Sequence, residues 1–155
     1  MDLLMTPAEA FEAAFGNDSG MEPSVIDRTT VYAAQLRYVE PVLGRAVCEA
    51  IAGGEHGDLL EEYVKPALAA FVKYAVMPAA VTRIGALGAV RFGGGSFEPA
   101  DDKAVERLRA SVRTEADTLL EAAVRRMEAA PEEYPEYDPA LNVRRRVSIA
   151  GGVVL

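Results

Sequence analysis

The sequence offers few side chains that could carry out catalysis or bind a metal. Its single histidine, His56, lies in a glycine-rich turn beside Glu55 and Asp58. This histidine is either a metal ligand or base, or an exposed turn residue without a chemical role. One histidine and one cysteine make up neither a zinc ligand set nor a Ser-His-Asp arrangement. We therefore interpret His56 as an exposed turn residue.

The one cysteine, Cys48, lies beside Val47 on a predicted helix. A nucleophilic thiol needs an activating base or cation close to it, whereas a buried structural thiol does not. We interpret Cys48 as a structural thiol. Because the sequence has no second cysteine, it allows no internal disulfide, and we expect a reducing compartment.

The stretch 85–97, GALGAVRFGGGSF, holds five of the 13 glycines. A phosphate-binding loop is one interpretation of such a stretch. A P-loop, however, needs a Gly-Lys-Ser or Gly-Lys-Thr sequence, and a dinucleotide site needs a preceding strand and an acidic residue at a set spacing. The sequence lacks these features, so we predict a flexible or hairpin-like loop with a short strand at residues 89–92.

The carboxylates that could form a metal pair are explained by their places at helix starts and on solvated helix faces. No Glu-x-x-His motif of the kind found in di-iron helical bundles accompanies them. They are Glu61, Glu62, Asp101, Asp102, Glu115, Asp117 and Glu121. The sequence thus predicts no catalytic residue, no metal site and no cofactor, and we expect a protein that is not an enzyme.

Apolar spacing and capping residues predict a mainly all-α fold. Thr6 with Glu9, and Asp58 with Glu61, have the spacing of capping boxes at two helix starts. Pro41 is expected to break or kink the second helix. The predicted helices cover residues 6–15, 23–39, 41–52, 58–84 and 101–130. The predicted apolar faces include Leu36 on the second helix and Leu108 on the last.

These helices predict a compact bundle of about four to five helices, with the Gly-rich loop or a short hairpin. Residues 1–140 are assigned to the helical domain and residues 141–155 to an extended, strand-like C-terminal tail. The acidic, proline-rich segment 131–139, PEEYPEYDP, is also expected to be extended. No internal repeat is evident in the sequence.

The composition predicts one domain with enough apolar residues to build a core, since 50% of the 155 residues are hydrophobic. The formal net charge of −8 argues against binding to nucleic acid or to an anionic membrane surface. No apolar run reaches the roughly 20 residues of a membrane span. The N-terminal residues lack the basic region of a signal peptide, and we expect a cytoplasmic protein.

One basic cluster stands out against the acidic balance, and it consists of Arg144, Arg145 and Arg146. It either contacts phosphate or an acidic partner surface, or it places charge on an edge strand and so discourages aggregation. Both interpretations stay open. The nearby acidic segment 132–138 is a candidate for neutralising the cluster.

The order of these elements resembles the small helical head–tail connector (head-completion or adaptor) proteins of tailed bacteriophages and prophages. The resemblance covers roughly residues 24–137. The runs that carry it are AAQLRYVEPVLGRAVCEAI, DLLEEYVKPALAAFVKYAVMPAAVTRIG, the Gly-rich loop, ADDKAVERLRASVRTEADTLLEAAVRRM and YPEY. These are hydrophobic patterns with a few prolines and glycines at set places, and they contain no catalytic signature.

The resemblance implies a structural virion protein whose copies form a ring of about a dozen subunits below the portal. The expected partners are the chain itself, the portal and the tail-completion proteins, with DNA only passing through and no membrane. Such a protein resides in the host cytoplasm and then at the head–tail junction of the virion. The alternatives are a bacterial helical adaptor or regulatory module without a phage role, and an enzyme that uses the His56 turn or the Gly-rich loop.

Ring subunits meet head to tail through two different surface patches. The Gly-rich loop and the C-terminal tail are apolar but have no periodic partner in the chain, so we expect them to contribute to these patches. The candidate subunit-interface residues are Val90, Phe92, Phe97, Arg144, Arg145, Arg146, Val147, Ile149 and Val153.

Overall fold

A computed structural model describes residues 2–16, 22–86 and 102–145. Within these ranges the regular structure is helical and contains no strand, so the predicted all-α fold is confirmed. None of the helices in these ranges is both long enough and apolar enough to cross a bilayer. Residues 87–97 of the predicted Gly-rich loop and residues 146–155 of the predicted tail lie outside the described residues, whereas Gly85 and Ala86 are helical.

Five helices, numbered α1 to α5 in chain order, build the bundle, and a short 3-10 turn at Pro23–Val25 precedes the second. Two of the five change from α-helical to π-helical geometry and back again along their length. The helices are α1 (Pro7–Phe15), α2 (Arg28–Ala34, the π turn Gln35–Val39 and Glu40–Leu43), α3 (Arg45–Ala52), α4 (Gly57–Leu59, the π turn Leu60–Val64 and Lys65–Ala86) and α5 (Asp102–Ala129).

The helix starts show which capping predictions hold. The Thr6 hydroxyl accepts a hydrogen bond from the Glu9 amide at 3.2 Å, and the Glu9 carboxylate accepts one from the Thr6 amide at 2.7 Å, so this capping box is confirmed. The predicted box of Asp58 with Glu61 is wrong. Helix α4 begins at Gly57, and the residue before it is His56, whose backbone is left-handed (φ 54°) and whose side chain caps no amide.

The π turns explain how two prolines lie inside long helices. Each turn ends two residues before a proline, Pro41 in α2 and Pro66 in α4. The residue just before the proline donates its amide hydrogen to the carbonyl oxygen five residues back, instead of four. A proline ring clashes with the carbonyl four residues back, and a widened turn relieves that clash. Pro41 therefore widens α2 rather than breaking it.

The two π turns also reveal a short internal repeat that the sequence analysis missed. Residues 38–43 read YVEPVL and residues 63–68 read YVKPAL, with four of six positions identical. The repeated valines, Val39 and Val64, are both fully buried at the ends of their π turns. In each copy of the repeat, the valine is the last residue of the π turn and packs into the core.

Helix α4 is the central element, because it packs against α1, α2 and α5. The uninterrupted apolar run at residues 67–72 of this helix fits its burial on several sides. The largest fully buried side chains include Phe71, Leu43, Leu59, Leu68, Leu120 and Met127. The predicted apolar faces were wrong at Leu36, which is 41% exposed, and at Leu108, which is 56% exposed.

An ion pair joins α1 to α4. The Lys65 Nζ atom lies 2.7 Å from Glu9 Oε1 and 2.5 Å from Glu61 Oε1. The hydrogen bond from Lys65, together with those from Thr6, lowers the pKa of the Glu9 carboxyl from 4.5 to about 2. The carboxylate form of Glu9 therefore stabilises the junction of the two helices.

The Glu9 contribution should depend on pH. Because the folded pKa lies below 4.5, the stabilisation is complete above pH 4.5 and is lost as the pH falls towards about 2. In Glu9→Gln we expect the free energy of unfolding to fall by less than about 1 kcal/mol at neutral pH, since the carboxylate is 44% exposed. The deficit should vanish near pH 2 in urea unfolding curves. Glu12→Gln, which removes an exposed carboxylate of α1 that has no ion pair within the described residues, should show no such pH-dependent deficit.

Candidate functional site

The segment after α5 folds back onto the bundle, so the prediction of an extended acidic segment was wrong. Residues 131–141 form successive turns. Tyr134 is buried, with 5% of its surface exposed, and Tyr137 packs against the core. The two tyrosines attach this segment to the helices through their rings, while its carboxylates remain at the surface.

His56 lies against this segment and is not the exposed turn residue that we predicted. Its side chain is only 14% exposed, its Nε2 atom is 3.1 Å from Glu136 Oε2, and its ring centroid is 4.8 Å from that of Tyr134. Donor atoms of Glu55, His56 and Glu136 all lie within 4.8 Å of one another. Zinc sites with three protein ligands hold at least two histidines or cysteines, and this group has one histidine with two carboxylates. We interpret the group as a contact that joins the α3–α4 turn to the segment after α5.

Cys48 is buried in the core on α3. Burial, together with the charges of Glu40 and Glu49, raises the pKa of its thiol to about 12. A thiol with such a pKa carries almost no thiolate at neutral pH, and the thiolate is the form that attacks electrophiles. The environment of Cys48 is that of a packing residue.

The described part of the predicted tail, residues 141–145, consists of turns docked on the helices. Asn142 is 1% exposed, and its side-chain Nδ2 donates to the Tyr137 hydroxyl at 2.9 Å. The Val143 amide donates to the Pro41 carbonyl oxygen at 3.1 Å. These bonds fix the chain at the end of α2, so these five residues pack as part of the helical body.

Two arginines of the basic cluster anchor this docked segment to α5. Arg144 forms an ion pair with the Asp117 carboxylate and donates to the Asp117 carbonyl oxygen at 3.0 Å. Arg145 pairs with Glu121 at 2.8 Å and with Glu128 at 3.0 Å, and it lowers the pKa of the Glu128 carboxyl. The carboxylates that neutralise these two arginines belong to α5, and not to the segment 132–138 that we had considered.

The ion pair of Arg144 should hold the docked segment in place. In Asp117→Asn we expect faster hydrogen exchange of the Val143 amide, because Arg144 loses its charged partner. A loss of about 1 kcal/mol corresponds to a roughly fivefold increase in exchange. Glu115→Gln is the matched control, since Glu115 is an exposed carboxylate of the same helix without an ion pair in the described ranges. Equal exchange in both variants would show that the ion pair of Arg144 with Asp117 does not anchor the segment.

A second cluster combines arginine and aromatic side chains from α2, α4 and α5, and we name it the arginine–tyrosine ridge (Arg37, Tyr38, Tyr74, Arg109 and Arg113). The Tyr38 ring stacks on Phe71 beneath it, with ring centroids 4.7 Å apart. The Arg113 guanidinium lies 4.6 Å from the Tyr38 centroid, and that of Arg109 lies 4.3 Å from the Tyr74 centroid. Arg37 covers the Tyr38 ring at 5.4 Å. Rings and guanidiniums thus hold one another in place.

The ridge carries positive charge that is only partly neutralised. Arg113 pairs with Asp117 at 2.8 Å. Within the part of the chain that the structure describes, Arg37 and Arg109 have no carboxylate within 4.0 Å. This cluster was not predicted from the sequence, since it joins residues from three helices. The available signals were the spacing of Arg109 with Arg113, four apart on one helix, and of Phe71 with Tyr74, three apart on another.

The structure places only two of the nine candidate interface residues, Arg144 and Arg145, and both bind within their own chain. Their role as subunit-interface residues stays a prediction. The other seven candidates lie outside the described residues, and they are Val90, Phe92, Phe97, Arg146, Val147, Ile149 and Val153.

Comparison with known proteins gives one result. The model of a family described as "Family of unknown function (DUF6712)" matches residues 26–147 of the chain. This range runs from the start of α2 to just beyond the docked segment and so contains the ridge and the anchoring arginines. No curated protein and no solved structure matches the chain.

Proposed function

The chain belongs to the DUF6712 family, whose function is unknown, and we propose that it is a non-catalytic structural protein of a phage or prophage. It acts as one subunit of a head–tail connector ring, which joins the portal to the tail and surrounds the path of the DNA. Its partners are further copies of itself, the portal and the tail-completion proteins.

The observation that carries the protein-binding part of this proposal is the arginine–tyrosine ridge. Arginine and tyrosine are enriched in the cores of protein interfaces and among the residues that dominate binding energy. The guanidiniums of Arg109 and Arg113 are already held against rings, so less side-chain freedom is lost on binding. Arg37 and Arg109 leave charge available for a partner's carboxylates.

The connector part of the proposal rests on the resemblance of residues 24–137 to connector subunits. The net charge of −8 is compatible with it, because an acidic wall lets DNA slide past without holding it. Arg144 and Arg145 hold the chain against α5 directly before residue 146. We propose that the candidate residues beyond this point contribute to the contact with a neighbouring subunit.

Binding to a portal tests the connector role directly. The purified chain is mixed with the portal protein encoded in the same genome, and the complexes are imaged by negative-stain electron microscopy. We expect an additional ring at the tail-facing end of the portal. A variant truncated after Arg145 keeps the anchoring ion pairs, so it should retain its circular dichroism spectrum while forming fewer complexes.

A generic adaptor or regulatory module is the alternative, and two results would favour it. One is a chain that leaves the portal bare in these images. The other is a gene neighbourhood without portal or capsid genes. A truncated variant that forms complexes as well as the full chain would refute the role of residues 146–155 but leave the connector role intact.

A further inference from the structure

A groove of about 430 Å³ lies between α1, α4 and the middle of α5. Its lining includes small apolar side chains, among them Ala14, Ala69 and Ala70, and the larger side chain of Leu119. Alanines in a groove let a neighbouring side chain or helix approach the backbone closely. Side chains of a partner can therefore lie close to the helices that line the groove.

The rim of this groove carries an excess of negative charge. Four carboxylates, of Glu9, Glu12, Glu61 and Glu115, face two ammonium groups, of Lys65 and Lys73. Lys65 is occupied by Glu9 and Glu61, and Lys73 lies 5.7 Å from the centroid of the Phe15 ring. Glu12 and Glu115 are exposed, and no cation of the described ranges pairs with them. These two carboxylates are available to a partner's cations.

The groove and the arginine–tyrosine ridge lie on opposite sides of the α4–α5 pair. At 100° per residue, Ala69 and Lys73 on the groove side point about 150° away from Phe71 and Tyr74 on the ridge side. On α5, Glu115 and Leu119 point about 120° away from Arg109 and Arg113. One chain thus presents a cationic, aromatic surface on one side and an acidic, partly apolar groove on the other.

We infer that the groove of one subunit receives the arginine–tyrosine ridge of the next copy of the chain. This inference rests on the proposed ring, in which each subunit uses two different patches to contact its two neighbours. The guanidiniums of Arg37 and Arg109 then meet the carboxylates of Glu12 and Glu115 of the neighbouring copy. The contact is heterologous, so it repeats from copy to copy around the ring.

A second copy is the occupant that the charges favour, because the rim carboxylates repel nucleic-acid phosphates and attract the guanidiniums that this same chain carries on its opposite side. Like charges brought together at an interface cost several kcal/mol, so charge reversal should weaken it strongly. Reversing the charges of both the ridge and the groove should restore the attraction, because the two surfaces then again carry opposite charges.

The test uses three variants of the full chain and measures association by sedimentation velocity. The ridge variant carries Arg37→Glu and Arg109→Glu, the groove variant carries Glu12→Lys and Glu115→Lys, and the combined variant carries all four changes. We expect the ridge and groove variants each to associate at least about tenfold more weakly than the unmodified chain. The combined variant should recover association with itself. Arg107→Glu and Glu132→Lys, at exposed positions outside both surfaces, are the matched controls.

The outcomes separate this contact from the proposed ring. If the unmodified chain assembles and the ridge and groove variants assemble equally well, the contact is wrong while the ring stands. Weakening of both variants without recovery in the combined variant also overturns the contact, provided that circular dichroism shows the native fold. If ridge variants assemble normally but lose binding to duplex DNA or to portal protein, the ridge serves that other partner. An unmodified chain that never associates contradicts both proposals.

Discussion

Replacing Phe71 with alanine should lower the free energy of unfolding by about 3–5 kcal/mol. Phe71 is fully buried where α2, α4 and α5 meet. Its ring stacks on Tyr38 at 4.7 Å, and the Arg113 guanidinium lies 5.2 Å from its centroid. Truncation loses the transfer free energy of the ring and leaves a cavity that three packed helices cannot easily fill.

Urea unfolding followed by circular dichroism measures this loss. Phe15→Ala is the matched control, because Phe15 is also a phenylalanine but lies half-buried at the end of α1, against Phe11 and Lys73. We expect it to cost less than half as much as Phe71→Ala. Equal losses at the two positions, or a loss below about 1 kcal/mol at Phe71, would contradict a core closed around Phe71.

Gly44→Ala should cost about 1–3 kcal/mol, and the reason lies in the backbone alone. Gly44 joins α2 to α3 with φ 90° and ψ 150°, a conformation that side chains with a Cβ rarely adopt. A Cβ built at this position meets no atom within 4 Å, so crowding adds nothing to the cost. If the backbone of the alanine variant instead adopts another conformation at residue 44, the junction of α2 and α3 would be disturbed.

Gly57→Ala separates backbone strain from the general effect of replacing a glycine. Gly57 also has open space around its Cβ position, but it starts α4 and does not have a positive φ. We expect this change to be neutral or to stabilise by a few tenths of a kcal/mol, since alanine reduces the freedom of the unfolded chain. Thermal unfolding of the two variants gives the comparison. Equal melting temperatures would show that the Gly44 conformation is not strained for alanine.

Local sequence signals predicted most of the helices, and they failed where distant residues intervene. The capping box of Thr6 and Glu9 acts over three residues, so its spacing alone was sufficient. The start of α4 was misplaced because His56 takes a left-handed backbone while its side chain pairs with Glu136, 80 residues further along the chain. The exposure of Leu36 was not predicted either, since it lies within the π turn Gln35–Val39, where the regular α-helical spacing on which the predicted face relied does not hold.

The docking of the segment after α5 was also not predicted from local sequence signals. Its proline and acidic residues are typical of an extended chain, and they outweighed the two tyrosines in the prediction. Tyr134 and Tyr137 nevertheless fix the segment to the bundle. Aromatic residues at a spacing of three within a polar segment were the available signal for docking. The partners of Arg144 and Arg145 lie 17 to 27 residues earlier, on one face of α5, and no local pattern could have identified them.

The prediction of function was likewise limited where residues far apart in the sequence come together. The chemistry-bearing residues could be weighed from the sequence because they are so few. The ridge and the groove could not be predicted, since each gathers residues from three helices whose relative placement the sequence does not state. The acidic net charge concealed a local positive surface, because an average over the whole chain says nothing about where cations lie.

The central claim is that copies of this chain assemble into a closed ring, and native mass spectrometry tests it most directly. The purified full-length chain is measured from dilute to concentrated solution, alone and with portal protein. We predict one closed species with a fixed copy number of about a dozen, populated at high concentration or on the portal. A chain that stays monomeric at high concentration even with portal protein present would contradict the claim.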